Sequence, residues 1–265
     1  MIKLMLPSLL ASALACLSPA AAQPAPPAAA PAPLGAPAGW GQEVRTVVTA
    51  RIPDAVAQSL LPAGWTVNPV AQGPAKGANF AIVFAESLLG LAADGKPEVG
   101  PGAFVALSVP ARNGEETAFG IVAVLSDART TPGFYRVGKP ATVTVARTTH
   151  GDNLARTVEE SWSVAAETGE RLAFRVAYEA GPPARIQLDS RNVSAADPKL
   201  RRLYRIDQGS FVIRSQGSGI DRAKTVSFEA SGGMLDRIFE GGPSVVSIAA
   251  LPWYERQMFV PPLVD

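Results

Sequence analysis

Ten segments of the chain alternate apolar and polar residues or carry runs of β-branched residues, a pattern typical of β-strands. They are residues 44–52, 79–87, 103–111, 117–127, 141–149, 157–167, 171–180, 184–193, 203–215 and 223–231. Glycine, proline, asparagine and aspartate separate them at intervals of roughly 10–20 residues, a spacing typical of sandwiches and barrels. The pattern predicts a mainly β fold, an antiparallel cone- or barrel-like sheet.

Helical patterning is confined to two short segments. Residues 53–64 begin with a proline and end with a glycine, and three apolar side chains fall on one helical face. Residues 232–242 place apolar side chains in the same way between two glycine pairs. Proline at the start of a helix and glycine after its end are common boundary residues. We therefore expect two short helices on a β body.

The first 22 residues have the composition of a secretory signal peptide. Lys3 precedes a short apolar run and small residues that end in Ala-Ala-Ala, so we expect cleavage after Ala22 and a periplasmic or secreted protein. An alternative is lipid attachment at Cys16, which follows Ala-Leu-Ala and resembles a lipoprotein cleavage box. No later stretch approaches the roughly 18 apolar residues that a membrane helix needs, so we expect no membrane span.

Residues 23–39 consist almost entirely of proline and alanine. Such a segment cannot bury enough apolar surface to offset the entropy lost on ordering, so we expect an extended tether. The folded region then covers residues 40–262. At roughly 220 residues it is long enough for a substantial core, and we expect a single β-rich domain.

Composition excludes several kinds of chemistry. Cleavage after Ala22 removes Cys16, the single cysteine, and with it thiol catalysis and zinc–thiolate sites. His150 is the single histidine, which excludes multi-histidine metal sites, and it lies in a turn-like stretch. A Ser-His-Asp triad would need His150, but the chain has no G-x-S-x-G motif. We expect no metal and no cofactor.

The charges of the chain are balanced. Without Lys3, 23 basic residues face 23 acidic ones. This balance argues against nucleic acid or an anionic membrane surface as a partner. The basic cluster from Lys199 to Arg205 is interpreted as a solvated face. No pattern in the sequence specifies an oligomeric state.

One lysine stands in an unusual setting. The lysines beyond the signal peptide are Lys76, Lys96, Lys139, Lys199 and Lys224. In "GFYRVGKPAT" (133–142), small or apolar residues border Lys139 on both sides. An apolar pocket lowers the pKa of a lysine because burial penalises the ammonium form, and the neutral amine can form a Schiff base with a carbonyl. Alternatively, Lys139 is only the charged start of a strand.

Four stretches together resemble acetoacetate decarboxylase-like proteins. They are "VVTARIPDAVAQSLLPAGWTVNP" (47–69), "TAFGIVAVLSDARTTPGFYRVGKPATV" (117–143), "TGERLAFRVAYEAG" (168–181) and "MLDRIFEGGPSVVSIAALPWYERQMF" (234–259). The resemblance implies a cone-like, mostly antiparallel β fold with an apolar interior pocket. In the decarboxylases of that family, a lysine condenses with a β-keto acid and the iminium accepts the electrons released as CO₂ leaves. A second, adjacent lysine keeps the pKa of the first one low.

The resemblance also implies candidate catalytic residues. Lys139 falls at or beside the reactive lysine, Arg136 at the family's arginine and Glu98 at its pocket glutamate. An arginine suits the orientation of a carboxylate substrate because its planar fork donates two hydrogen bonds. The lysine doublet is absent, so only desolvation remains to lower the pKa of Lys139. Arg45 lies near the family's pocket arginine but out of register.

Two functions are compatible with these features. The first is an exported acetoacetate decarboxylase-like protein that acts on or binds a small keto acid or related carbonyl compound through a Schiff-base lysine. The second is a non-catalytic periplasmic β-barrel that binds a small apolar ligand; a structural role in the cell envelope has no motif behind it. Whether the protein is an enzyme stays open. We expect Trp253, Tyr254 and Phe259 to form a wall of the ligand cavity, the alternative being a cap on the β core.

Overall fold

A computed structural model describes residues 34–98, 100, 102–152 and 155–262. The predicted signal peptide and most of the predicted tether lie outside these residues. The first strand begins at Ala36, ahead of the predicted domain boundary at Trp40. Its first residues are ordered by pairing with the last strand, where Ala36 lies opposite Val260 and Pro37 opposite Phe259. The composition of the segment did not reveal this long-range pairing.

Strands dominate the described residues, and each of the ten predicted segments coincides with one of them. They are β1 (Ala36–Arg51), β2 (Thr66–Val67), β3 (Phe80–Leu91), β4 (Ala103–Asn113), β5 (Glu116–Ser126), β6 (Gly138–Gly151), β7 (Arg156–Ala166), β8 (Arg171–Glu179), β9 (Ala184–Ser194), β10 (Arg201–Ser215), β11 (Ile220–Asp221), β12 (Ala223–Ser231) and β13 (Ser244–Val260). The helices are α1 (Asp54–Ser59) and α2 (Met234–Ile238). The predicted mainly β fold with two short helices is confirmed. Neither described helix has the length and apolar character needed to cross a membrane.

Seven strands close into a ring in the order β1, β3, β4, β5, β9, β10 and β13, after which β13 pairs with β1. Neighbours in the ring are antiparallel except β5 and β9. These two are parallel and pair only where Phe119–Ile121 meets Asn192–Ser194. The sheet is therefore mixed at this seam, whereas the sequence pattern predicted an antiparallel one. Closing a sheet on itself encloses an interior that side chains or a ligand can fill.

A second sheet, called the outer sheet here, consists of β6, β7, β8 and β12 and is antiparallel. It joins the ring through a short parallel contact between β5 and β6. The main hydrophobic core lies between this outer sheet and the outward face of the ring. Phe84 of β3 illustrates the packing: its ring centroid lies 4.8 Å from that of Phe174 and 5.5 Å from that of Trp162.

Strand β4 is buried on both faces. Val105 and Leu107 belong to the core beneath the outer sheet and have no exposed surface. Phe104 and Ala106, the intervening residues, line the interior of the ring. This follows from the alternation of side chains along a strand. The ring thus separates the packed core on its outer side from an open interior.

Candidate functional site

The ring encloses a cavity of about 1070 Å³. Each ring strand contributes alternate side chains to its wall. In β1 these are Arg45, Val47 and Thr49, and in β9 they include Ile186 and Leu188. Most of the wall is apolar, with polar side chains such as Arg45, Arg202 and Tyr204 among its residues. Ligand pockets typically combine a large apolar surface with a few convergent polar groups.

A buried carboxylate holds two arginines of the cavity wall. Arg45 donates from Nε to one carboxylate oxygen of Glu43 at 2.6 Å, and Arg256 lies 2.8 Å from the other oxygen through Nη2. Glu43 itself is 1% exposed. Burial raises the pKa of the Glu43 carboxyl, but the charges of Arg256 and Arg45 outweigh burial and hold the pKa below its ordinary value. Glu43 therefore stays ionised and orients both guanidinium groups.

Two tyrosine hydroxyls lie beside this ion cluster. The hydroxyls of Tyr135 and Tyr204 are 2.7 Å apart, and the Arg256 guanidinium lies 5.0 Å from the Tyr204 ring. Ser194 donates a 2.6 Å hydrogen bond to the Tyr135 carbonyl and so fixes the segment that carries this ring. Burial, with the neighbouring Tyr204, raises the pKa of Tyr135 well above its ordinary value. A phenol hydroxyl both donates and accepts, so the hydroxyl that accepts the shared bond has its own proton to donate elsewhere.

Arg202 is a further arginine of the wall, which also includes Arg129 and Arg222. Its guanidinium stacks 4.0 Å from the Phe134 ring, and its Nη1 donates to the Met258 sulfur at 3.1 Å, a weak acceptor. Among the described residues it has no ion pair with a carboxylate. The Nε atoms of Arg202 and Arg256 are buried without a hydrogen-bond partner in that part of the chain. This end of the cavity therefore has more cationic donors than the protein supplies acceptors for.

The structure places Lys139 differently from the sequence-based expectation. Its amine contacts the carboxylate of Glu170, which also accepts a hydrogen bond from Thr168. Burial raises the pKa of Glu170, but these hydrogen bonds outweigh burial and hold the pKa below its ordinary value. Gly138, one residue earlier, lines the cavity. Alternation along β6 thus turns Lys139 away from the cavity, which corrects the expected apolar pocket around its amine.

The three predicted catalytic residues do not converge. Glu98 lies on the cavity wall but is exposed, and its backbone N–H donates to the Gly90 carbonyl at 2.8 Å. Arg136 is exposed, adopts a φ of 56° in a turn, and does not line the cavity. None of the five described lysines lines it either. The role of Lys139 as a Schiff-base amine stays a prediction, and the geometry lends it no support.

Of the three predicted wall residues, only Tyr254 lines the cavity, where its ring lies 3.5 Å from the Arg45 guanidinium. Trp253 lies opposite Gly209 of β10, and Phe259 opposite Leu203. Both are half-buried outside the cavity wall. The wall role of Trp253 and Phe259 stays a prediction that this geometry does not support. From Tyr254 onward every second residue faces inward, so Arg256 and Met258 line the cavity and Phe259 does not.

Sequence reasoning missed most of the polar cluster. It interpreted the segment from Lys199 to Arg205 as a solvated face, yet Arg202 and Tyr204 line the cavity. Arg205, on the opposite face of β10, is exposed as expected and pairs with Asp189. The alternation of the strand could have divided this cluster into an inward and an outward set. Within the described residues, no group of three or more His, Cys, Asp or Glu side chains is arranged to hold a metal ion.

No family model and no curated protein matches the sequence. Solved structures do match the fold. The enduracididine biosynthesis enzyme MppR, complexed with the condensation product of pyruvate and imidazole 4-carboxaldehyde, matches at a TM-score of 0.51 and 16% identity, over 84% of this chain and 87% of that one. MppR complexed with pyruvate matches at a TM-score of 0.51 and 18% identity, over 84% of this chain and 88% of that one.

An acetoacetate decarboxylase-like enzyme from Sphingomonas wittichii RW1 matches at a TM-score of 0.51 and 18% identity, over 86% of this chain and 92% of that one. At such identities the likeness concerns the fold alone. The chain has an acetoacetate decarboxylase-like fold, as its sequence resemblance indicated.

Proposed function

We propose that the protein binds a small carboxylate, a keto acid or a related carbonyl compound, in the cavity of the seven-stranded ring. The observation that carries this proposal is the position of Arg202. It lies on the cavity wall, is held in place by Phe134 and Met258, and has no ion pair with a carboxylate among the described residues. A ligand carboxylate would supply the missing acceptor.

The surroundings of Arg202 suit the carboxylate of a small acid. A guanidinium donates two parallel hydrogen bonds to a carboxylate. Arg256 carries a second positive charge nearby, and the Tyr135–Tyr204 pair keeps one hydroxyl proton available. The apolar part of the wall, which includes Val47 and Leu251, would contact the remainder of the ligand.

A protein of the same fold supports a keto acid as the ligand class. MppR has been solved with pyruvate bound, and pyruvate is a small 2-keto acid. The likeness itself carries only the fold, so the proposal rests on Arg202. We assign no covalent step to Lys139, because its amine is paired with Glu170 and does not line the cavity. The proposed activity is therefore binding without a Schiff base.

Calorimetric titration with pyruvate, acetoacetate and acetone tests this proposal. Acetone retains the carbonyl and lacks the carboxylate, so we expect the two acids to bind and acetone not to. Hydrogen bonds to charged groups contribute about 1.5–3 kcal/mol, so Arg202→Ala should weaken binding of the acids roughly tenfold to a hundredfold. Arg214→Ala is the control, since Arg214 lies on the same strand and pairs with Asp221 outside the cavity. Equal binding of acetone, or unchanged affinity in the Arg202 variant, would refute the proposal.

We further propose that this binding takes place outside the cytoplasm, in the periplasm or after secretion. The support is the signal-peptide pattern of residues 1–22, which lie outside the described residues. N-terminal sequencing of the protein from its native host should find Gln23 as the first residue. Retention of Met1, or a lipid on Cys16, would contradict cleavage after Ala22.

A further inference from the structure

Among the described strands, none pairs with one edge of β9 over most of its length. On one side, β10 pairs with it from Ala184 to Val193. On the other side, β5 pairs with it only at Asn192–Ser194, and no other described strand pairs with residues 184–191. Residues 184–189 are all exposed. An uncovered strand edge presents unpaired backbone N–H and C=O groups that can accept another strand.

One face of this edge is apolar and exposed. Ile186 and Leu188, on the cavity face, are 39% and 40% exposed. Charged side chains, which commonly protect an exposed edge, lie on the other face. The opposite face carries Arg185, Gln187 and Asp189. Arg185 and Asp189 carry opposite charges and lie two residues before and two residues after Gln187. The strand can therefore place opposite charges together when it pairs with an antiparallel copy of itself.

We propose that a second copy of this chain pairs with β9 in antiparallel orientation, with Gln187 of each copy at the two-fold axis. In this register Arg185 lies opposite the partner's Asp189, and Ile186 opposite the partner's Leu188. Directly opposed residues of an antiparallel pair share a face, so charges meet charges on the outer face and apolar side chains meet on the cavity face. Centring the pair on Leu188 would instead oppose Arg185 and the partner's Arg191, two like charges.

The existing ion pairs of the outer face extend into this arrangement. Arg205 of β10 already lies 3.4 Å from Asp189, and Arg185 already pairs with Asp207 of β10, which also accepts a hydrogen bond from Gln187. In the dimer, Arg185 would therefore be shared between Asp207 of its own chain and Asp189 across the two-fold axis, and Asp189 would lie between two guanidinium groups. Ile186 and Leu188 line the cavity, so pairing would also cover the exposed part of that wall. The inference concerns this edge and does not depend on which ligand the cavity binds.

Sedimentation velocity of the purified chain over a range of concentrations tests the proposal. A single strand pair buries less than the roughly 1,200 Å² of a standard interface, so we expect a concentration-dependent equilibrium between monomer and dimer. The test variants are Arg185→Asp and Asp189→Arg. In a dimer of either variant, residues 185 and 189 carry the same charge, so two pairs of like charges lie opposite each other across the two-fold axis. Because cross-strand charge pairs contribute roughly 0.2–1 kcal/mol each and like charges directly opposite are destabilising, either variant should raise the dimer dissociation constant at least about threefold.

A mixture of the two variants is the decisive experiment. One copy then presents two acidic groups and the other two basic groups, so both cross-strand pairs are again of opposite sign and association should return. This recovery also shows that neither variant failed to fold. Arg175→Asp is the matched control, because Arg175 is exposed on β8, whose edges are both paired, and it should associate like the wild type. A monomer at every soluble concentration, variants that associate normally, or no recovery on mixing would overturn the proposal.

Discussion

Glu43→Gln is the substitution whose effect the geometry of the cavity specifies most fully. The side chain of Glu43 is 2% exposed, and its two oxygens are shared between Arg45 and Arg256. Glutamine keeps the shape but removes the charge, which leaves two cations without a counter-charge. Removing one partner of a buried ion pair typically costs about 3–5 kcal/mol. Since the side chains of Arg45 and Arg256 retain 12% and 20% of their exposure, solvent relieves part of this penalty, and we expect about 3 kcal/mol.

The effect should depend on pH in a defined direction. The pKa of Glu43 is lower in the folded protein than its ordinary value of 4.5, so the unfolded chain binds this proton more readily. The stabilisation from Glu43 is therefore complete above pH 4.5 and is lost as the pH falls through the lowered pKa. At that acidity the protonated wild type resembles the glutamine variant. The difference in unfolding free energy should shrink accordingly.

Urea denaturation of both proteins, followed by tryptophan fluorescence from neutral to acidic pH, measures this difference. Glu159→Gln is the control, because Glu159 is exposed on β7 and surface substitutions usually change stability by less than about 0.5 kcal/mol. A Glu43 variant as stable as this control at neutral pH would refute the buried ion cluster. A difference that persists undiminished at acidic pH would refute the lowered pKa.

Three further outcomes are expected. Phe84→Ala should lower the free energy of unfolding by about 3–5 kcal/mol, because this fully buried ring packs between two other aromatic rings; a smaller loss in urea denaturation would contradict that packing. Gly209→Ala should lower the melting temperature and shift the tryptophan emission, because an added Cβ would collide with the Trp253 indole; unchanged emission would count against this contact. Incubation with pyruvate and then borohydride should leave no specific adduct on Lys139, whose amine is held by Glu170; a mass adduct confined to Lys139 would restore the Schiff-base mechanism.

The sequence alone determined ten of the thirteen described strands and the two short helices, because their signals are local. Period-two alternation and β-branched composition depend on neighbouring residues, and all ten predicted segments are strands. The resemblance of residues 234–259 to a closing helix and strand also indicated α2 and β13. The parallel pairing of β5 with β6 and β9 could not be predicted from such local signals. Whether two strands run parallel depends on the path of the chain between them.

The candidate site was predicted only in part, because strand alternation requires a starting register. Arg202 and Tyr204 lie on the face of β10 that lines the cavity, whereas Arg205 faces solvent. On β13, a register shift near Trp253 changes which residues point inward, so Tyr254 and Arg256 line the wall. Composition identified the aromatic residues there but not the face that each would occupy.

Only the tertiary structure decided the surroundings of the remaining groups. Small or apolar residues flank Lys139 in the sequence, yet its amine contacts Glu170, which lies 31 residues away in the chain and is almost fully buried. The ring that creates the cavity closes through β1 and β13, the first and last described strands in the sequence, which pair side by side. The hydroxyls of Thr49 and Ser247, separated by 198 residues, lie 2.8 Å apart on the cavity wall. Contacts over such separations form only when the whole sheet is assembled, and no local pattern encodes them.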